Sequence, residues 1–279
     1  MIFRLLRIQQ WYKNLVIFLP LVFVGLATDI SAIILTSLGF FALCLISSAN
    51  YILNDLVDKE YDYHHSEKRL RPIASGKIGI WSAGFISMAL ATSSLILGFV
   101  LAEKFFAMIL FLFILTTSYT LLLKKEIFLD IIIISTNFVL RAVSGAYILD
   151  VRVSPWLILC TFFLAFFIVV GKRRADSYIL KNRAFLHKPV LQYYTLPITN
   201  ILLIIATTLL IVSYALYSFL SIYPHLIYTI PFSLYVILRY YYLIESKSDI
   251  ARKPEKFYKD IPLILGTFVW VIVVFSLIY

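Results

Sequence analysis

A chain of 279 residues that is 62% hydrophobic and only 14% charged lies far outside the range of soluble globular domains. A mean hydropathy of +0.93 excludes an ordinary soluble enzyme and calls for an integral membrane protein. The net charge of +10 is distributed unevenly, and the only two cysteines, Cys44 and Cys160, sit inside apolar runs, which excludes a disulfide framework or a cysteine-based metal centre.

In chain order, residues 1–14 form a short basic amphipathic segment, with Arg4, Arg7 and Lys13 among Ile, Phe, Leu and Trp. Such a segment suits an interfacial helix leading into a first span. Residues 15–27 are apolar and end near Gly25 and Ala27, a pattern that also imitates a signal peptide; in a polytopic chain it reads as a span. Further spans are predicted at 31–53, 80–101, 105–123, 127–149, 155–171, 196–220, 222–243 and 261–278, making nine transmembrane helices, each near the length a bilayer requires. The expected fold is therefore all-α, a single domain over 1–279 with the interfacial segment at its start. The N-terminal segment and the loops near 55–78, 124–125, 172–190 and 245–260 hold 21 of the 25 Lys and Arg residues. The opposite loops hold only Lys104 and Arg152. By the positive-inside rule the N-terminus and the basic loops face the cytoplasm, in a plasma (inner) membrane.

The most unusual stretch lies at 50–62, the one place where carboxylates crowd together. Asp55, Asp58 and Asp62 are spaced i, i+3, i+7, within roughly 60° of each other on a helix face. Three stacked carboxylates repel one another unless a cation sits among them, and their hard oxygens suit Mg²⁺ completed by water and phosphate. Asn50 and Asn54 extend the polar face into the apolar helix, where polar groups are costly without partners. Lys68, Arg69 and Arg71 follow closely and suit an anion brought by the metal. The plainer reading, a solvated helix end balanced by nearby bases, is weakened by those two asparagines.

A second constellation begins with Tyr119 and Lys124 and continues on the predicted fifth span. There Asp130, Asn137, Arg141 and Ser144 fall within roughly 40° of a common line. An acid and an arginine in a span face the bundle interior or a wet cavity, either as substrate ligands or as a structural pair, Asp130–Arg141 or loop to helix, that fixes packing. A third constellation ends the sixth span, where Lys172, Arg173, Arg174 and Asp176 adjoin. The bases suit a phosphate or simply the topology rule; Asp176 suits a second cation or a ribose hydroxyl. The histidines His64, His65, His187 and His225 show no zinc-binding spacing.

Taken together, N-D-x-x-D-x-x-x-D at 54–62, K-R-x-R-P-I-A-S-G at 68–76 and Y-T-L-L-L-K at 119–124 resemble the UbiA superfamily of intramembrane prenyltransferases, over essentially the whole chain. Three further features resemble its decaprenyl-phosphate phosphoribosyltransferase branch: Q-W-Y-K-N at 10–14, F-V-L-R-A-V-S-G at 138–145, and G-K-R at 171–173. Aromatic-acceptor members usually carry a second D-x-x-x-D after the sixth span, of which only Asp176 remains here. The resemblance implies transfer of 5-phosphoribose from phosphoribosyl diphosphate to decaprenyl or undecaprenyl phosphate with release of diphosphate, a step toward a lipid-linked sugar donor for cell-envelope glycan. It further implies Mg²⁺ on Asp55, Asp58 and Asp62, with Asp176 as a fourth catalytic carboxylate. Lys172 and Arg173, with Lys13 or Lys124, are implied to place the lipid phosphate, and Arg69 and Arg71 the 5-phosphate or diphosphate. Besides the two substrates the expected partner is the bilayer; no nucleic acid is expected, and an oligomer is compatible with the pattern. Two alternatives stay open: prenyl transfer from a prenyl diphosphate to a small acceptor, and transport of a phosphorylated solute.

Overall fold

The computed structural model describes residues 1–64, 68–180 and 189–279, and every described element is helical. His65, His187 and the loop bases Lys181, Arg183 and Lys188 lie outside the described residues. Eight helices are long and apolar enough to cross a membrane. They are α3 (Ile30–Val57), α5 (Ile80–Leu101), α6 (Glu103–Leu121), α7 (Leu129–Ile148), α8 (Pro155–Leu180, the span itself Pro155–Tyr178), α9 (Leu196–Leu220), the run Pro224–Glu245 made of a 3₁₀ turn (Pro224–Thr229) and α10 (Ile230–Glu245), and α12 (Ile261–Ile278). Short helices fill the rest: α1 (Ile2–Leu5), α2 (Leu19–Phe23), α4 (Lys59–Tyr63) and α11 (Asp249–Arg252).

Eight of the nine expected spans are single long apolar helices among the described residues, while the expected first span is a 3₁₀ segment followed by a short α-helix. Ile8–Phe18 is 3₁₀, α2 begins with Pro at its first turn and is five residues long, and Gly25 at φ 81° turns the chain away. Hydropathy alone does not register these breaks.

The chain divides into two compact units, Met1–Lys124 with Asn137–Arg152, and Lys125–Thr136 with Val153–Tyr279. In the first unit α3 packs on α5 through small residues. Ala83, Ser87, Ala91, Ser94 and Gly98 are the buried positions of α5, and Ser87 and Ser94 donate to the carbonyls of Ala49 and Ala42 at 2.9 and 2.7 Å. Small residues let membrane helices approach closely and use dispersion where no hydrophobic force acts between them. Glycine has the same use at α7. A Cβ on Gly145 would lie 2.0 Å from the Ile17 carbonyl oxygen, so the 3₁₀ segment runs directly against α7 there.

In the second unit α8 and α9 pack around Phe166, Phe167, Val170, Leu203, Ala206 and Leu210. Phe167 meets Tyr240 of α10 edge to face at 5.5 Å. Asp260 starts α12, accepting from Leu263 N at 2.8 Å while Arg239 holds it in a two-pronged ion pair. That pairing keeps the Asp260 carboxyl below its ordinary range, first through the Arg239 hydrogen bond.

Candidate active site

The acidic cluster closes the first unit at one helix end. α3 stops at Val57 and α4 starts at Lys59, with Asp58 between them at φ −90°, ψ 6°. The three carboxylates therefore come from a helix end, a junction and a short second helix, rather than from one continuous face. Asp62 N still bonds Asp58 O at 2.8 Å, so the kink is slight. Asp55 and Asp62 are almost fully buried, at 2% and 1% exposure, a costly state for carboxylates unless cations accompany them.

Arg71 Nη1 sits between the two, donating to Asp55 Oδ1 at 3.0 Å and to Asp62 Oδ2. Arg7 donates to the same Asp55 oxygen, and Lys68 Nζ lies 3.7 Å from Asp62 Oδ1. Asp58 pairs with Lys124 and accepts from Asn54 Nδ2 at 3.2 Å. Arg71 reaches its place because the turn after it is anchored: Ser75 N bonds Arg71 O at 2.9 Å, Gly76 takes φ 74°, and Ile73 is buried with Leu5, Ile52 and Ala83. Arg69, expected as a substrate ligand, is exposed.

Arg7 was not among the expected ligands. It takes a left-handed conformation, φ 49° and ψ 47°, which costs a side-chain-bearing residue on the order of 1 kcal/mol. The gain is a guanidinium stacked 4.9 Å over the Tyr51 ring and paired with Asp55. Burial pulls the Arg7 pKa below its ordinary value, with Asp55 opposing that shift. Among the described residues no three His, Cys, Asp or Glu side chains are arranged as a ready metal cage.

Toward the membrane interior the polar seam of α7 is present. Arg141 Nε donates to Asn14 Oδ1 at 2.8 Å and its Nη1 to Asn137 O at 2.9 Å, with the guanidinium 5.6 Å over Phe138. Ser47 also donates to Asn14 Oδ1 at 3.3 Å, and Trp11 Nε1 to Ser48 Oγ at 3.1 Å. These bonds explain the 10–14 motif: Trp11 and Asn14 pin the 3₁₀ segment to α3 and α7. Asn137 accepts from Thr116 and Asn50 from Thr117, at 3.3 and 3.2 Å. Tyr119 and Lys13 are half-buried.

In the second unit Asp130 is fully buried and pairs with Arg173 Nε at 2.9 Å, while Tyr194 donates its hydroxyl to Asp130 Oδ1. Burial, then the Asp130 carboxylate, pushes the Tyr194 phenol well above its usual range. A structural Asp130–Arg141 pair is thus replaced by two separate arrangements. Arg174 pairs with Glu245 at 2.7 Å and Asp176 with Arg252 at 3.1 Å. Arg173 accordingly spends its Nε on an internal acid, Asp176 is charge-compensated, and Lys172 is half-buried beside them.

Residues 15–270 match the sequence model of the UbiA prenyltransferase family. The chain belongs to this family. A decaprenyl-phosphate phosphoribosyltransferase of Mycolicibacterium smegmatis is 29% identical over 98% of this UbiA-family chain and 91% of its own length. The Mycobacterium tuberculosis protein of that name is 28% identical, over 90% and 84%. An uncharacterized Sinorhizobium fredii protein, y4nM, is 38% identical over 62% of this chain, which spans 33% of that longer protein. The solved structure of a UbiA homolog from Archaeoglobus fulgidus bound to GPP and Mg²⁺ shares the fold, with TM-score 0.74 at 20% identity, covering 98% of this chain and 99% of that one.

Proposed function

We propose that this protein transfers 5-phosphoribose from phosphoribosyl diphosphate to a polyprenyl phosphate, releasing diphosphate, at the cytoplasmic face of a plasma (inner) membrane. The observation that carries the reading is the excess of bases at the acidic cluster: Arg7, Lys68, Arg71 and Lys124 against Asp55, Asp58 and Asp62. A cluster so arranged suits a polyanion that arrives with a metal. The names of the two mycobacterial relatives support the same chemistry, and Asp176, occupied by Arg252, supports a site with one acidic motif rather than two.

The residues fit Mg²⁺. A single guanidinium nitrogen already lies between Asp55 and Asp62, so the two carboxylates converge on a cation, and Mg²⁺ is commonly held by one or two carboxylates plus substrate oxygens. Asp55 and Asp62, with Asp58, would hold it, and when bound it supplies Lewis-acid neutralisation of the diphosphate. Arg7, Arg71 and Lys68 meet the charge that grows on diphosphate as the C1–O bond breaks. The carboxylates lie where an oxocarbenium-like ribose is electrostatically favoured. One oxygen of the lipid phosphate forms the new bond to C1; the electron pair of the broken bond leaves with diphosphate. That acceptor is already an anion and requires no general base. Lys124 and Lys172 serve to orient phosphates.

Prenyl transfer to a small acceptor is the second reading, favoured by the prenyl diphosphate bound in the Archaeoglobus homolog. Purified protein in detergent, given Mg²⁺, radiolabelled phosphoribosyl diphosphate and decaprenyl or undecaprenyl phosphate, tests both. Label extracted with the lipid and lost with EDTA supports the phosphoribosyl reading. Product only from a prenyl diphosphate and an aromatic acid replaces it with the second.

A further inference from the structure

We propose that the first unit holds a second anion site, separate from the acidic cluster, in which Arg141, Asn50, Tyr51 and Lys13 bind a phosphate monoester. The assignment of that monoester to a substrate rests on the function proposed above. Asn50 and Tyr51 precede Asp55 on α3 by five and four residues, about 6–7.5 Å of helix rise, so this site lies deeper in the helix than Asp55.

Two independent observations point to a ligand. First, Arg141 is 8% exposed within a span, yet among the described residues no carboxylate pairs with it. Its partners are neutral: Asn14 Oδ1, Asn137 O and the Phe138 ring. Nη2 makes no hydrogen bond among the described residues. An intramembrane guanidinium without a counter-ion is expensive and is retained where an anion comes to it. Second, Asn50 is 5% exposed and accepts from Thr117, but its Nδ2 is buried with no hydrogen-bond partner. An orphaned amide donor inside a protein forfeits a bond that a ligand oxygen restores.

The surroundings are electropositive: the Arg7 guanidinium lies 4.9 Å over the Tyr51 ring, and Lys13 directly precedes Asn14, the acceptor of Arg141 Nε. The ligand offered to these donors is small, doubly charged and rich in acceptor oxygens, which describes a phosphate monoester better than a carboxylate. Two sources share that chemistry: the 5-phosphate of the sugar donor and the head of the polyprenyl phosphate.

The test compares wild type with Arg141→Gln, Arg141→Lys and Asn50→Asp, the last nearly isosteric and repelling an anion. Protein in detergent is melted with and without ribose 5-phosphate, or geranyl phosphate against geraniol, and KM is measured separately for each substrate. The expected result is protection of wild type by a phosphate-bearing probe, its loss in Arg141→Gln and Asn50→Asp, and partial retention in Arg141→Lys. The KM of one substrate rises on the order of 10- to 100-fold while the other holds. A rise for phosphoribosyl diphosphate identifies the sugar phosphate; a rise for the lipid identifies the headgroup. Absence of turnover in wild type would refute the proposed reaction but leave the probe measurement decisive for the site. Unchanged probe binding and KM values, or a loss of kcat alone, would make Arg141 a packing residue and overturn the proposal.

Discussion

Gly145→Ala should destabilise the first unit through backbone, not side chains. The new Cβ would lie 2.0 Å from the Ile17 carbonyl oxygen, 3.0 Å from its carbon and 3.1 Å from Cγ1. To regain an ordinary 3.4 Å contact the 3₁₀ segment must retreat by about 1.4 Å. Ile17 is fully buried among Leu43, Ile46 and Phe105, so the retreat also loosens that core. Overpacking of this kind costs about 1–3 kcal/mol. Asn14, one turn earlier, is drawn away from Arg141, and weakening that charge-assisted bond adds up to about 1.5–3 kcal/mol. The sum corresponds to a fall in Tm on the order of 10 °C for a domain of this size. Thermal melting in detergent reads it. Adding Ile17→Ala should not rescue, because the clash is with a carbonyl. Gly39→Ala is the control: its Cβ would meet Ile148 Cδ1 at 2.1 Å, and Ile148→Val, which deletes that atom, should restore most of the loss. A Gly145→Ala protein that melts like wild type, or that Ile17→Ala rescues, would refute the close backbone approach.

Arg71→Gln leaves Asp55 and Asp62 buried without their shared donor and should cost about 3 kcal/mol; millimolar Mg²⁺ should raise its Tm more than that of wild type, and equal shifts would count against a cation position there. EDTA should leave the wild-type Tm within about 1–2 °C while abolishing turnover, because bases already compensate the acids; the two readouts are taken on one preparation. Asp58→Asn and Lys172→Ala should each abolish Mg²⁺-dependent turnover without loss of the folded protein in detergent, and near-normal activity of Asp58→Asn would remove the metal assignment. Asp260→Asn should lower stability modestly at neutral pH through the lost Arg239 ion pair, since Asn caps a helix as well as Asp does. The folded-state pKa of Asp260 is depressed, so its contribution is present above the ordinary carboxylate value of 3.8 and is lost as pH falls through the lower folded value. The stability difference between wild type and Asp260→Asn should therefore shrink below about pH 4.

The convergence of Asp55 and Asp62 was legible from spacing, since i and i+7 return to nearly one helix face. The break at Asp58 was not, because D-K-E-Y-D is a good helical run and its partner Lys124 lies 66 residues away. The seam of α7 could be read from its period, but the partner of Arg141 could not: Asn14 lies 127 residues away. Hydropathy placed eight long helices, but the 3₁₀ geometry of the segment before them, with Pro20 and the left-handed Gly25, was not legible from it. Arg7 looked like one more interfacial base; its role depends on a positive φ that no composition reveals. The acids of the second unit were read as ligands because their partners, Tyr194 for Asp130 and Arg252 for Asp176, come from distant segments.

The charge arrangement of the first unit suits the proposed reaction for a reason beyond the identity of its ligands. Buried acids alone would repel, and buried bases alone would bind any anion in the cytosol. Interleaved, each carboxylate has a base beside it before substrate arrives, which offsets the cost of burying it. A metal–diphosphate complex presents the same two signs in the same volume. Its cation can take Asp55 and Asp62 while its anion takes Arg7, Arg71 and Lys68, so every group changes partner and none is left bare. The cost of entry is then the difference between two sets of ion pairs rather than the full desolvation of either. A substrate carrying only one sign strips partners from half the cluster and pays that desolvation. Under the proposed reaction this would select the diphosphate with its metal over either alone, and would make Arg71, whose nitrogen lies where the two carboxylates converge, the side chain whose displacement governs binding.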